Sequence, residues 1–383
     1  MNRPCSLERA GATLRAGWAL DGATLVVTAE GRGPEAIRLR EVAGVSGDDF
    51  SLRLRLGEES LTLSRLGAEG ANLLAEVRRL WLPERADALR LAGAGDSVRF
   101  AAAMARGDGA LRPCQGLLHD DALLLAAEDA DIEPVFLALL VEIAFDSASM
   151  TLLLRDSDGG ALRLAKLAGR TDEIAAALDT RRTHLAAEAI QVMDGWLPGL
   201  DPARRATLAA RWLPGRVLGL HEIDALVPGS AEAFKGSWLA AMPRRSEGEA
   251  LMGLPGVSSV WAGYGRTDAS GAGAPSAAPA ASLWLLVNAG ERWFLEAVSE
   301  QDWATYRFRG GAETPALVSR LLCAPQFSRE ALYLPLDRLA GVHGELATAA
   351  RDLGFLRELR ACFVDRVIHT SPEAWRTELG SPR

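Results

Sequence analysis

The chain is poor in the residues that usually announce chemistry: its 383 residues include four cysteines, five histidines and two lysines. Cys5, Cys114, Cys323 and Cys362 lie far apart and form no C-x-x-C pair. That argues against a disulfide framework or a zinc site and fits a reducing cytoplasm. His119, His184, His221, His343 and His369 stand singly, without H-E-x-x-H or comparable ligand spacing, so a metalloenzyme is not expected. A G-x-S-x-G elbow, a G-x-x-x-x-G-K-[ST] phosphate loop and a G-x-G-x-x-G after a strand are all missing. No window approaches the roughly 20 consecutive apolar residues of a membrane helix. The opening MNRPCSLERAG has no apolar stretch of the kind an export signal needs, so Cys5 reads as an ordinary thiol. Lys166 and Lys235 stand against 40 arginines, a bias that, with the excess of Ala and Gly, looks like the product of a GC-rich bacterial genome and carries no mechanistic weight.

What is present is enough for real cores. Apolar residues make up 49% and charged residues 24%, outside the range of disordered chains. The length exceeds what one core usually supports, so two or three modules of about 100 to 150 residues are expected.

The informative feature is an internal repeat. Gly17-Trp18-Ala19-Leu20-Asp21-Gly22-Ala23-Thr24-Leu25 returns as Gly116-Leu117-Leu118-His119-Asp120-Asp121-Ala122-Leu123-Leu124, about one hundred residues later. The offset persists, from Pro34 to Pro134, Leu39 to Leu139, and Phe50, Leu52 and Leu54 to Met150, Leu152 and Leu154. Period-two spacing predicts strands. Polar turns at Gly57-Glu58-Glu59 and Asp156-Ser157-Asp158-Gly159-Gly160 lead to short strands carrying Leu61 and Leu63 or Leu162 and Leu164, so each copy contains a hairpin. One helix then closes each copy. Leu73, Leu74, Val77, Leu80 and Trp81 recur at helical spacing until Pro83, which is expected to stop the helix; Ile174, Ala177, Leu178 and Leu185 do so after Thr171.

Antiparallel strands followed by one C-terminal amphipathic helix, in about ninety residues, resemble the pleckstrin-homology-like superfold and its GRAM-type relatives. The resemblance covers roughly residues 8–92 and 96–186 and implies a bent barrel plugged by its helix. Lipid-binding members carry Lys and Arg on the first hairpin; here Arg99, Arg106 and Arg112 stand there in the second copy, and Arg9 and Arg15 in the first. Residues 96 to 185 hold 9 basic and 15 acidic side chains, a net charge of −6. Such a surface repels anionic bilayers and phosphate backbones, so nucleic acid is not expected and lipid contact is not favoured.

Beyond residue 186 the composition shifts, with eight of the ten tryptophans between Trp196 and Trp375. Residues 187–250 read as a helical connector whose two Trp-Leu-Pro-Gly runs, at Trp196 and Trp212, supply docking anchors. The stretch 268–281 is low in complexity and is expected to be a flexible insertion. Leu283–Val287, Trp293–Val298 and Trp303–Phe308 read as a three-stranded meander, followed by helices near Thr314–Leu322 and Leu346–Val367. If Val257 to Tyr264 supplies an earlier strand, residues 251–370 form a third α+β module, a divergent copy of the same plan.

The candidate sites resolve into structure. His221-Glu222 with Asp224 reads as caps and surface charge. Asp129-Ala130-Asp131-Ile132-Glu133 begins like a calcium loop, but Pro134 and Leu140 stand where that loop needs Gly and a bidentate acid. Asp156 to Gly160 has hairpin-turn chemistry. Cys362 and His369 could be paired, but Cys362 belongs with Leu359 and Phe363 in a core. No catalytic, cofactor-binding or metal-ligating residue is assigned, no cofactor is expected, and the ligand-binding residues stay open. The sequence therefore predicts an α+β protein of tandem small antiparallel modules, each closed by a C-terminal helix. Its expected role is a non-enzymatic, cytoplasmic protein-protein interaction or scaffold protein, whose partners bind by strand addition at a sheet edge. The alternatives are a peripheral phospholipid-binding protein and an unrecognised enzyme in the C-terminal half.

Overall fold

The computed structural model describes residues 3–91, 96–128, 130–266, 281–298, 304–324 and 329–380. Its first sheet is built from β1 (Arg3–Arg9), β2 (Ala12–Asp21), β3 (Thr24–Ala29), β4 (Pro34–Arg38), β5 (Gly44–Asp48), β6 (Ser51–Leu56) and β7 (Glu59–Ser64). These seven antiparallel strands lie in the order 4-3-2-1-7-6-5, because β1 pairs with both β2 and β7. Helix α1 (Gly70–Ala88) follows. The period-two pattern explains the packing: Leu52 and Leu54 lie opposite Leu63 and Leu61, all four at 0% exposure, while Arg53 between them faces out. Val77 and Trp81 of α1 bury onto that face, and the Trp81 indole donates to the Val42 carbonyl at 2.8 Å.

The second sheet repeats the winding. Its strands are β8 (Val98–Arg106), β9 (Arg112–Leu118), β10 (Ala122–Ala127), β11 (Glu133–Phe136), β12 (Leu140–Asp146), β13 (Thr151–Asp156) and β14 (Ala161–Ala165), closed by α2 (Thr171–Trp196). Their order is 11-10-9-8-14-13-12, the first sheet's order strand for strand. Leu152 and Leu154 again lie opposite Leu164 and Leu162, as the repeat in the sequence requires.

The rest of the chain runs through α3 (Pro202–Ala209), β15 (Leu218–Gly219), α4 (Leu220–Leu226), α5 (Ser230–Ala241) and α6 (Arg245–Met252). It continues with β16 (Val257–Arg266), β17 (Ala281–Ala289), β18 (Arg292–Val298) and β19 (Ala304–Arg309). Helices α7 (Thr314–Cys323), α8 (Glu330–Tyr333), α9 (Leu336–Val342), α10 (Gly344–Asp352) and α11 (Gly354–Cys362) follow, before β20 (Phe363–Ile368) and α12 (Pro372–Gly380). The third sheet is a simple meander in the order 15 to 20, all antiparallel. That is not the winding of the first two sheets. The whole is α+β, with three antiparallel sheets and twelve α-helices among the described residues.

Several expectations need correction. Helix α1 passes through Pro83 and ends at Ala88. Proline removes the hydrogen bond to the carbonyl four residues back, and here Arg99 of the second repeat donates to that carbonyl, Arg79 O, at 3.2 Å. The helix expected up to Val367 stops at Cys362, and Phe363-Val-Asp-Arg-Val-Ile forms β20 instead, with Asp365 opposite Arg307 and Val367 buried. The connector is helical but also contributes β15 to the third sheet. Gly93 to Gly95, Asp129, residues 268–280 and Trp303 lie outside the described residues.

The three parts pack on one another. Trp196, Trp212, Phe234 and Tyr264 stack edge to face or tilted, with centroids 5.3 to 5.5 Å apart, and fix the connector to β16. Arg78 with Glu128, and Arg55 with Asp131 at 2.5 Å, join the first repeat to the second. Arg320 pairs with Asp158 at 2.8 Å and Phe355 packs edge-on against Phe136, joining the second repeat to the C-terminal module. Arg85, only 2% exposed, reaches from α1 to Asp352 at the end of α10.

Candidate functional site

The equivalent edge strands of the two repeats have different surroundings. In the first repeat Gly44, Val45 and Ser46 of β5 are buried. Val45 and Trp81 meet Ala102, Cys114 and Ala126 of the second repeat across a residual cavity of about 110 Å³. Strands β5 and β12 are both the last of their sheets, β5 pairing only with β6 and β12 only with β13 among the described residues, and it is the exposure along them that differs. Along β12 Val141, Ile143 and Ala144 are half-buried and Phe145 is 40% exposed; Met150, at the end of the following turn, is 54% exposed. An unpaired strand edge with apolar side chains beside it is a template for another strand.

Local chemistry holds that edge in shape. Asp146 closes the β12–β13 turn by accepting from Ala148 N at 3.0 Å and from the Ser149 hydroxyl at 2.6 Å. Those bonds, the Ser149 hydroxyl first, hold its carboxyl below its ordinary value. Asp48 closes the β5–β6 turn in the same way, through Phe50 N and Ser51 Oγ, both at 2.9 Å. Glu142 pairs across the strands with Arg155 at 2.9 Å. Asp146 is an exposed acid at the open end of the edge.

Most of the residues singled out from sequence are engaged in structural contacts. Glu222 accepts from Gly219 N at 2.7 Å and Asp224 from Ala231 N at 2.9 Å, which are helix-start contacts within the connector. Asp156 accepts from Asp158 N and Gly160 N inside its hairpin turn. Asp131 and Glu133 are engaged by Arg55 and Arg106. Strand β20 separates Cys362 from His369. Arg106 lies between Glu133 and Asp156, Arg99 donates to Arg79 O, and Arg9 binds Glu35 and Glu59. Burial raises the thiol of Cys5 to about 11 and that of Cys114 to about 12. Thiols held so far toward the neutral form are poor nucleophiles.

The polar cluster that sequence reading missed lies in the C-terminal module. Glu247 of α6 and Glu296 of β18 flank the imidazole of His369, with Nδ1 2.5 Å from Glu247 Oε2 and Nε2 3.1 Å from Glu296 Oε1. Thr305 donates to Glu296 at 2.5 Å and accepts from the Trp375 indole at 2.8 Å. The side chains of His369 and Glu247 are 0% exposed and that of Glu296 1%. The imidazole occupies the space between the two carboxylates. Among the described residues no group of three or more His, Cys, Asp or Glu is arranged to hold a metal ion, and no helix is long and apolar enough to cross a membrane.

No protein-family model and no curated protein matches the chain. Its functional reading therefore rests on its own geometry.

Proposed function

We propose that the protein is a non-enzymatic interaction scaffold, with two pleckstrin-homology-like repeats and a binding surface at the β12 edge of the second. The single observation that carries this reading is the asymmetry of exposure at the two edges: Gly44, Val45 and Ser46 of β5 are buried, whereas Ile143 and Ala144 of β12 are half-buried and Phe145 is exposed. The strand order 4-3-2-1-7-6-5 followed by one helix, present twice, supports the family resemblance. The occupant is an extended segment of a partner protein, apolar where it meets Ile143 and Phe145. It carries Lys or Arg, because the second repeat has a net charge of −6.

The lipid alternative has less support, since Arg106 is held between Glu133 and Asp156, which leaves the exposed Arg99 and Arg112 as the basic side chains of that hairpin on a repeat of net charge −6. The enzyme alternative has acids converging on a histidine, but their side chains are sealed from solvent. The test is affinity purification of the tagged full-length protein, in parallel with Ile143→Lys, Phe145→Lys and, as control, Phe50→Lys. A charged edge resists strand addition. A partner that binds the wild type and Phe50→Lys, but about tenfold or more weakly to both edge variants, is the expected result. Partners held equally by all four proteins, or turnover of a small molecule with no partner, would overturn it.

A further inference from the structure

The last helix of the chain is fastened through the buried histidine cluster. Trp375 of α12 is fully buried and lies flat on His369, with ring centroids 5.1 Å apart and planes inclined by 21°. Its indole reaches Thr305, whose hydroxyl reaches Glu296, so the polar contacts of α12 at this end run into the same network.

We propose that α12 is a proton-gated latch, docked while His369 is an imidazolium and released when that ring loses its proton. Ionised carboxylates only accept hydrogen bonds, and each ring nitrogen of His369 faces a carboxylate oxygen. Only the imidazolium can donate from both nitrogens. A neutral ring has one N–H; protonated on Nδ1 it would turn the Nε2 lone pair toward Glu296, and Thr305 Oγ1, 3.3 Å from Nε2, could donate to that lone pair only by giving up its own bond to Glu296, so a buried carboxylate loses a donor either way.

The charge balance points the same way. From α6 and the residue before it, Glu247 and Arg244 face the cluster, the latter at 3.1 Å from Glu247; β18 contributes Glu296. With His369 charged, two cations meet two carboxylates; with it neutral, one negative charge is left buried. From β19, Arg307 pairs with Asp365 of β20 and donates to the Glu378 and Leu379 carbonyls at the far end of α12. Those contacts do not pass through His369, so that end holds while the Trp375 end opens. Glu373, Arg376 and Glu378 of α12 lie on its exposed face. Burial pulls the imidazole's pKa down, but the hydrogen bonds and charges of Glu296 and Glu247 outweigh it and raise the pKa above its ordinary value. A raised histidine stabilises the docked state below the unfolded-state pKa and loses that effect as pH rises through the folded value.

The test uses the full-length protein. Hydrogen-exchange protection factors, which already correct for base catalysis, are followed from about pH 7 to about pH 10 for α12 and, as reference, α1. Protection of α12 is expected to fall by up to about tenfold per pH unit as pH rises from the ring's undocked pKa to its raised docked value, and to level off above that, while α1 holds steady. His369→Gln, which cannot titrate, is expected to remove that slope. Flat protection of α12 in the wild type, or an unchanged slope in His369→Gln, would overturn the latch. Because the variant can fail to fold, nitrogen NMR of the wild-type imidazole gives an independent reading. Both ring nitrogens are expected to be protonated near neutral pH, and a neutral tautomer there sinks the proposal.

Discussion

In the first repeat Gly44, Val45 and Ser46 of β5 are buried, with Val45 at the seam cavity that Ala126 also lines, whereas its counterpart β12, likewise the last strand of its sheet, leaves Ile143 half-buried and Phe145 40% exposed. The two sheets are wound identically, so winding does not decide which edge strand is the more exposed. The outer face does. In β3, Thr24-Leu-Val-Val-Thr-Ala alternates between half-buried and buried, as a strand with one wet face should. In β10, Ala122-Leu-Leu-Leu-Ala-Ala is buried at every residue, because a neighbour covers its second face. A small, apolar outer face lets the second repeat sit on the first, and its own edge strand stays the more exposed.

The largest effect should come from the tie that holds the first repeat to the C-terminal module. Arg85 is 2% exposed and donates to Asp352 and to Arg40 O. Asp352→Asn would leave a buried cation without its partner, at about 3–5 kcal/mol in chemical denaturation. Asp158→Asn breaks the corresponding tie of the second repeat, Arg320–Asp158, whose side chains are 35% and 29% exposed. Its cost should be about 0–1 kcal/mol. Equal costs would mean that the two repeats are tethered alike. Burial raises the Asp352 carboxyl, but Arg351 and Arg85 outweigh that and hold it below its ordinary value. Its stabilisation is therefore present above the unfolded-state carboxylate pKa, about 3.9, and lost as pH falls through the folded value. Asp352→Asn should remove this step from an acid titration of stability.

A second substitution pair probes the covered face directly. Ala126 and Thr28 occupy the same place in their repeats, opposite Gln115 and Gly17, but Ala126 is 5% exposed at the seam and Thr28 is half-buried. Ala126→Asn places an amide at the apolar seam and should cost about 1–3 kcal/mol. Thr28→Asn should stay within about 0.5 kcal/mol. Comparable values in thermal or urea unfolding would mean that the outer faces are not what separates the repeats.

The strands were legible from sequence because period-two alternation is local: Leu52, Leu54, Leu61 and Leu63 announce their own face, and the same pattern at Leu152 to Leu164 announces the copy. What was not legible depends on distant partners. Pro83 removes the in-helix donor to Arg79 O, and the side chain that donates there instead, Arg99, belongs to the next repeat. The residues of β20 extend an apolar run that begins as a helix, and their pairing with β19 spans 58 residues at Arg307 and Asp365. The exposure of β12 could not be seen either, since nothing in β12 itself says that its counterpart β5 is buried. His369 and Glu247 are 122 residues apart, a separation that no motif spacing encodes. The one local hint was Glu296, an acid inside the otherwise apolar Trp293-Phe-Leu-Glu-Ala-Val, where a buried charge needs a partner.

The smallest expected effect is the most specific. Arg99→Ala deletes the donor that replaces the missing Pro83 N–H, leaving Arg79 O without it at the junction of the repeats. One neutral-acceptor hydrogen bond contributes about 0.5–1.5 kcal/mol, so a loss of that size is expected, confined to the part of α1 around Pro83. A Pro83→Ala background sharpens the reading, because alanine restores the in-helix donor to Arg79 O. Arg99→Ala should then cost less than it does beside proline, and the difference between the two costs is the coupling energy of the pair. If Arg99→Ala costs the same in both backgrounds, Arg99 is a general contact of the seam, and the continuation of α1 through Pro83 needs another cause.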